Sequence, residues 1–268
     1  MPIEDRAIGL LVPIVPGGAQ RGKLALVIPT LREVENLGLL LRQIRSELDR
    51  ARIPFEILVV DDNSRDGTEE LVSEIAAEDC RVRLLVRRSE RGLSGAILHG
   101  WQHTDASILA VMDADMQHPP EVLPRLLSAI EDGYDIAIAS RYAPGASAAC
   151  HHFLRRGLSA AFIWVTRPIQ PAGLCVRDPL SGYFAVRRRC VENILFRPTG
   201  FKLLLEILVR GRVRLVREVP FAFRRRGGGQ SKASFRVACD YLQLLAQLYR
   251  AHLLPARMED TPADAPAD

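Results

Sequence analysis

From Lys23 to Ala139 the chain alternates short apolar runs with longer stretches whose apolar positions recur every three or four residues. The short runs read as strands: Leu24 to Ile28, Phe55 to Val60, Val82 to Val86, Ile108 to Met112 and Asp135 to Ala139. The periodic stretches read as helices: Val34 to Arg50, Thr68 to Ala77, Leu93 to His103 and Glu121 to Glu131. This order predicts an α/β fold, a mostly parallel sheet with helices on both faces. Ligands of such sheets bind beyond the carboxyl ends of the strands. One edge therefore collects Pro29 to Glu33, Asp61 to Asn63, Asp113 to Gln117 and Ser140 to Tyr142.

Past Ala139 the rhythm changes. Pro144 to Ala149 has loop composition, and His151 to Thr166 sets Arg155 and Arg156 beside Phe153, Leu154, Leu158, Phe162, Ile163 and Trp164. As a helix this segment has a cationic edge and an aromatic apolar face, which suits a membrane interface and a protein core equally. A second such helix, Phe235 to Leu254, carries Tyr241, Leu242, Leu244, Leu245, Leu248 and Tyr249, and either helix offers a docking face for a membrane partner. The expected division is a flexible extension over 1–22 and one folded domain over 23–235, with halves 23–140 and 141–235. An amphipathic helix over 236–254 and a disordered acidic tail over 255–268 complete it.

Composition narrows the class. With 48% hydrophobic and 25% charged residues the chain is an ordinary globular protein. Charged residues interrupt every apolar stretch well short of the roughly 20 residues a spanning helix needs. Near the start, Pro13 breaks the apolar patch Ile8 to Val15, and acids stand where a signal peptide would be positive, so this segment reads as an extension on a cytosolic protein. The five cysteines, with no Cys-x-x-Cys pair, read as reduced and structural. Net charge is +4, and the tail holds one Arg against four acids, so the body is more basic than the whole. Arg210, Arg212, Arg214, Arg217, Arg224, Arg225, Arg226, Lys232 and Arg236 face only Glu206 and Glu218. Such a surface fits phosphate, whether of a nucleotide sugar, a lipid headgroup or a nucleic acid.

Asp113-Ala114-Asp115, with Gln117 two residues on, closes an apolar run. Carboxylates at the mouth of a buried strand are costly unless a cation or ligand uses them, and a divalent ion holding a diphosphate is the chemistry that most often does. In isolation such a triplet is more often an acidic turn. Asp61 and Asp62 can accept hydrogen bonds from a base or ribose, whereas Asn63, Ser64 and Asp66 read equally as caps for the next helix, with Gly67 easing the turn. No Gly-x-Gly-x-x-Gly follows Ile28, which weighs against NAD or FAD. His99, His103, His118, His151 and His152 lack metal-ligand spacing and read as non-catalytic. Arg141 reads as a phosphate ligand or as the partner of an acid such as Asp135. Asp178 with Ser181-Gly182 reads as a turn after a strand.

The ordered series Ile28-Pro-Thr30, Glu33, Glu35-Asn-Leu37, Val59-Val-Asp-Asp-Asn-Ser64, Asp66-Gly67, Met112-Asp-Ala-Asp115 with Gln117, Ser140-Arg-Tyr142, Asp178-Pro-Leu-Ser-Gly-Tyr183 and Gly229-Gln-Ser-Lys232 resembles the family 2 glycosyltransferases. Within them it is most similar to the dolichol-phosphate (polyprenol-phosphate) mannose synthases. The match runs from about Leu24 to about Phe235. The resemblance implies a GT-A-type single domain, with Asp113, Asp115 and Gln117 ligating Mg²⁺ or Mn²⁺. Pro29, Leu31, Glu33, Val60, Asp62, Met112 and Ala114 would line the nucleotide-sugar site; Asp115 and Arg141 would be catalytic, and Arg141, Arg226 and Lys232 would hold the donor diphosphate. Arg141, Arg155, Arg156 and Ser159 would receive the acceptor phosphate. The implied donor is GDP-mannose, with UDP-glucose as the alternative, and the implied acceptor is dolichyl or polyprenyl phosphate at the cytoplasmic face of a membrane. A separate membrane-anchoring subunit is left open. Two departures stand out: Leu31-Arg32 replaces the family's Tyr-Asn pair, and Arg225 replaces an Asp, followed by three glycines.

The chemistry agrees. A phosphate monoester, with a second pKa of about 6, is an ionised nucleophile near neutrality and needs no dedicated base. In-line displacement of a diphosphate neutralised by a cation and by Arg or Lys donors inverts the anomeric carbon. A nucleic-acid-binding protein is the weaker reading, because stacking aromatics and a DNA-binding module are missing. An inactive nucleotide-sugar-binding subunit fits poorly with the intact Asp-x-Asp-x-Gln set.

Overall fold

The computed structural model describes residues 9–15, 20–89, 91–146, 164–170, 173–197, 202–224 and 235–253. Its elements, in chain order, are β1 (Leu10–Leu11), β2 (Gln20–Thr30), α1 (Val34–Arg50), β3 (Phe55–Asp61), α2 (Thr68–Glu78), β4 (Val82–Val86) and α3 (Leu93–Gln102). There follow β5 (Ala106–Val111), α4 (Leu123–Glu131), β6 (Ile136–Ser140), β7 (Phe184–Arg187), β8 (Leu195–Phe196), α5 (Leu203–Arg210), β9 (Val216–Pro220) and α6 (Phe235–Leu253). Short 3-10 turns occupy Pro120–Val122, Arg167–Ile169 and Arg188–Cys190.

Seven strands form one sheet in the order β4-β3-β2-β5-β7-β6-β9. β2 pairs in parallel with β3 on one side and β5 on the other, so the winding reverses at the β2/β5 boundary. Crevices open at such reversals, beyond the carboxyl ends of the strands. β2 is apolar throughout its middle because both faces are covered: Leu24, Leu26 and Ile28 meet α1, whereas Ala25 and Val27 lie in the cluster of α3. α3 lies so close that a Cβ on Gly100 would come within 2.7 Å of Val27 Cγ2.

β7 departs from the expected parallel pattern by running antiparallel to both β5 and β6. It is four residues long and enters from the turn at 178–182. The turn thus precedes a strand, where the sequence suggested that it follows one. Residues 10–12, assigned by sequence to a flexible extension, are tied down: β1 pairs with β8, Val12 bridges Glu192, and the Val12 side chain is fully buried. β2 likewise begins at Gln20, inside the same expected extension.

α6 ends within a residue of its expected boundary, but its apolar face is already covered. Tyr241, Leu244, Leu245 and Leu248 pack on Ile169, Leu180 and Leu205 of the same chain, so of the two readings, core-facing and membrane-docking, these four residues take the first; Leu242 points outward. The expected helix at 151–163 lies outside the described residues, and Trp164–Thr166 is helical. Among the described residues no helix is long and apolar enough to cross a membrane.

Arg188 binds the amino-terminal segment to the base of the sheet. Its buried guanidinium donates to the carbonyls of Ala106 (2.7 Å), Thr104 (2.8 Å), Trp101 (3.4 Å) and Pro13 (3.5 Å). A methionine would fill the volume and leave those carbonyls without their donor, at about 1–3 kcal/mol for each buried acceptor. Arg188→Met is therefore expected to lower the unfolding free energy by at least about 2 kcal/mol in urea titrations, and by more if several of the carbonyls stay unsatisfied; a change below about 0.5 kcal/mol would contradict this role.

Candidate active site

The carboxyl edge is built by side chains that hold backbone. Asp61 accepts from Ser64 N–H (2.8 Å) and from the Ser64 hydroxyl, and Ser64 Oγ in turn accepts from Arg32 N–H at 2.9 Å. Asp66 caps α2 through Thr68 N–H (3.2 Å) and also receives Val34 N–H (3.3 Å) at the start of α1. Of the three capping candidates, Asp66, one residue before the N-cap Gly67, accepts the first helical N–H, and Ser64 links two loops. Asp62 is buried, with Oδ1 on Arg87 (2.9 Å) and Oδ2 on Gly92 N–H (2.7 Å), so it braces the 87–92 loop. Pro29 pairs with Val60 in the sheet, while Glu33 holds Asn36 Nδ2 at 2.9 Å. Arg32, Asn63, Arg65 and Met116 all have positive φ, a conformation that side chains other than glycine rarely adopt and that clusters at functional edges.

β5 delivers Met112 and Ala114 into the core and leaves Asp113 and Asp115 partly exposed beyond it. Asp115 Oδ1 accepts from Gln117 N–H at 3.1 Å. Gln117 and Arg224 exchange bonds, Arg224 N–H to Gln117 O at 3.0 Å and Gln117 Nε2 to Arg224 O at 3.4 Å, so the carboxamide leans toward the late basic loop. Asp113 N–H donates to His118 Nδ1 at 3.2 Å, which leaves the ring proton on Nε2. His118 stacks on Tyr183 with centroids 5.0 Å apart and meets Phe221 and Phe223 edge-on. Burial, ahead of the opposing field of Asp115, pushes its pKa down to about 4, so it is neutral at physiological pH. His118 is a structural support of the acidic turn.

The residues 178–182 gather the remaining charges. Asp178, fully buried, grips Arg141 in a fork: Nε to Oδ2 at 2.8 Å, Nη2 to Oδ1 at 2.7 Å, with Arg141 N–H adding a 3.0 Å bond. Arg141 thus has an acid partner, but it is Asp178; Asp135 serves Arg189 and the N–H groups of Arg214 and Leu215. The Arg141 guanidinium also lies 5.4 Å from the Tyr142 ring centroid and 5.9 Å from that of Phe223. Ser181 Oγ anchors the turn on Ala139 O at 2.8 Å, and a Cβ on Gly182 would stand 3.1 Å from Asp113 Oδ2. Leu180 O receives the ammonium of Lys202 at 3.0 Å.

The structure therefore brings together Asp113, Asp115, Gln117 and Arg141 from the expected set, and places Pro29, Leu31, Glu33, Val60, Asp62, Met112 and Ala114 on the same edge. Arg155, Arg156, Ser159, Arg226 and Lys232 lie outside the described residues. His118, read from sequence as non-catalytic, serves as a support, and one residue, Lys202, escaped the sequence reading. A signal existed for it: the chain has only three lysines, Lys23, Lys202 and Lys232, and every other basic side chain apart from histidine is arginine.

The metal fit rests on the donor set, two carboxylates and one amide oxygen, all hard ligands of the kind Mg²⁺ and Mn²⁺ take. Among the described residues no group of three or more His, Cys, Asp or Glu forms a cage. An open two-carboxylate mouth suits an ion that shares substrate phosphates, as Mg²⁺ commonly does.

Sheet order and the acidic pair at the point of reversal define the class as a GT-A-like α/β protein. A solved relative in fold is glucosyl-3-phosphoglycerate synthase from Mycobacterium tuberculosis, with TM-score 0.65 at 19% identity over 88% of this chain and 82% of that one. A model described as glycosyl transferase family 2 matches residues 25–198, and the chain belongs to that family. Curated relatives include a dolichol-phosphate mannosyltransferase of Pyrococcus furiosus, 40% identical over 85% of this chain and 64% of the relative. The corresponding protein of Saccharomyces cerevisiae is 39% identical over 72% and 74%. A polyprenol monophosphomannose synthase of Mycolicibacterium smegmatis is 36% identical over 78% and 80%. The match thus spans just under two thirds of the Pyrococcus protein.

Asp178→Asn would remove the charge that orients Arg141 while keeping the shape. Loss of a charge-assisted fork costs roughly 1.5–3 kcal/mol, so sugar transfer is expected to fall about ten- to a hundredfold, with thermal melting showing the fold retained. Unchanged kcat/KM in Asp178→Asn would show that the pair plays no part.

Proposed function

We propose that this chain transfers mannose from GDP-mannose to the phosphate of a dolichol or other polyprenol, inverting the anomeric carbon, at the cytoplasmic surface of a membrane. The observation that carries this reading is the 36–40% identity, across most of the chain, to proteins from an archaeon, a yeast and a bacterium named for mannose and a polyprenol. The site chemistry supports it. An acceptor phosphate oxygen forms the bond to the anomeric carbon as the bond to the donor diphosphate breaks, and the electron pair leaves on the diphosphate. Arg141, held by Asp178, offers a fixed guanidinium to this exchange, and preorganised charge of this kind lowers barriers most where water is excluded. A divalent ion held by Asp113 and Asp115, with the Gln117 amide oxygen, would neutralise the leaving diphosphate. Pro29, Leu31, Glu33, Val60 and Asp62 would form the wall of the nucleoside pocket. By their position in the resemblance, Arg226 and Lys232 would meet the donor diphosphate, and Arg155, Arg156 and Ser159 the lipid phosphate.

Radiolabelled GDP-mannose, UDP-glucose and UDP-GlcNAc, each offered with a short polyprenyl phosphate and Mn²⁺, test the assignment. Mannosyl lipid is the expected product, and glucosyl lipid alone would overturn the donor. Asp115→Ala and EDTA are each expected to abolish transfer while circular dichroism stays native. Full activity under either condition would remove the metal from the reaction.

A further inference from the structure

The outer edge of the sheet carries a second concentration of positive charge, away from Asp113 and Asp115. β9 ends the strand order with β6 as its neighbour, and along its other side runs an open groove of about 710 Å³ that Arg125, Arg177, Arg214 and Arg217 help to line. All four are exposed. Among the described residues none of these four guanidinium groups forms an ion pair with a carboxylate, whereas those of Arg189, Arg210 and Arg224 do. The acid in the groove wall, Glu218, is engaged with backbone: its two oxygens accept Asp178 N–H at 3.0 Å and Arg177 N–H at 3.2 Å. The Arg217 guanidinium lies 5.8 Å from the Tyr134 ring centroid. Like charges gathered on one groove repel one another, and an anion laid along it relieves that repulsion.

A strand of another chain is a poor occupant of this edge. Pro220 has no N–H, and its carbonyl already accepts Arg125 Nη1 at 3.1 Å; proline and charge at an edge oppose strand pairing. Phosphate fits better, because guanidinium groups hold it through paired donors and are less strongly hydrated than an ammonium. The walls choose among phosphates. Leu215 is 55% exposed, and it lines the groove with Tyr134 and Leu174; arginines interspersed with apolar and aromatic side chains suit the headgroup zone of a bilayer. The groove also extends from Leu215, just before β9, to Ala143 and Pro144, which follow Arg141 and Tyr142 at the carboxyl edge. A bilayer held along it would lie beside the candidate site.

We propose that the groove along β9 is a docking surface for the phosphodiester headgroups of an anionic membrane. The choice of a bilayer over a soluble phosphate rests on the polyprenyl-phosphate reading given above, since an acceptor that resides in a membrane requires its enzyme there. Each arginine near such a surface adds to the attraction, and the total falls as salt rises.

Vesicle flotation measures this without turnover. The full-length chain is expected to bind phosphatidylcholine vesicles carrying roughly 30% phosphatidylglycerol, to leave pure phosphatidylcholine vesicles free, and to detach as salt rises. Arg214→Gln with Arg217→Gln should weaken binding about tenfold or more. Arg42→Gln with Arg52→Gln, an equal loss of charge at exposed positions on and just after α1, should change it less than about threefold. On the unsubstituted chain the anionic vesicles should slow hydrogen exchange in residues 214–220, a reading that needs no variant. Equal loss from both pairs of substitutions, binding indifferent to phosphatidylglycerol, or exchange in 214–220 unmoved by the vesicles overturns the proposal. Capture of a polyglutamate peptide with the vesicles left free also overturns it, and would make the groove a protein-docking surface. Farnesyl phosphate in solution separates this proposal from the transferase reading: Arg214→Gln with Arg217→Gln should keep mannose transfer to it and lose transfer to polyprenyl phosphate held in anionic vesicles. Vesicle binding that depends on Arg214 and Arg217, with no sugar transfer at all, would sustain the membrane surface and sink the transferase reading instead.

Discussion

The fork between Asp178 and Arg141 is the interaction on which the rest of the site depends. A carboxylate with no exposed surface is stable only because a guanidinium and a backbone amide saturate it. Glu218 supports it from below by accepting the Asp178 N–H at 3.0 Å and the Arg177 N–H at 3.2 Å. That fixes the turn at 178–182, and the turn fixes the space beside Asp113, where a Cβ on Gly182 would press to 3.1 Å from the carboxylate. β7, which the turn introduces, then runs antiparallel between β5 and β6 and locks the acidic edge to the arginine edge.

The amino-terminal half was legible in the sequence because its central strands β2, β3 and β5 are covered on both faces and its helices carry apolar stripes. Two-sided burial writes a continuous apolar run, and one-sided burial writes a period of three and four. The boundaries of α1 and β4 follow from that rule without adjustment. β1 and β8 have two residues each and β7 has four, too few to show any period. β9 was hidden for a different reason: Arg217 and Glu218 interrupt it, which an edge strand tolerates because one side faces solvent.

Within the site, the residues that protrude beyond a strand could be found from sequence, and those that act from behind could not. Asp113 and Asp115 follow an apolar run and announce themselves. His118 carries no such mark, since its role depends on Tyr183, Phe221 and Phe223, which come from distant parts of the chain. The acid that pairs with Arg141 was hidden on similar grounds, Asp135 being only the example that nearness in sequence suggested. Asp135 precedes the same strand, β6, but sits at its amino end, whereas Arg141 leaves the carboxyl end, a full strand length away. Asp178 is remote in sequence and adjacent in space.

The charge arrangement also bears on what can act as nucleophile. A hydroxyl acceptor would need a base to take its proton, and among the described groups near Arg141 neither His118 nor Asp178 offers one. His118 has Nδ1 on a backbone amide and its proton on Nε2, and Asp178 is saturated. Arg141 and Lys202 are cations that would raise the cost of forming another positive charge beside them. A phosphate monoester arrives already ionised and delivers an oxygen that needs no deprotonation. The positive charge of Arg141 thus favours an anionic over a neutral nucleophile at this point of the site, because a group that arrives charged needs no proton removed beside a cation.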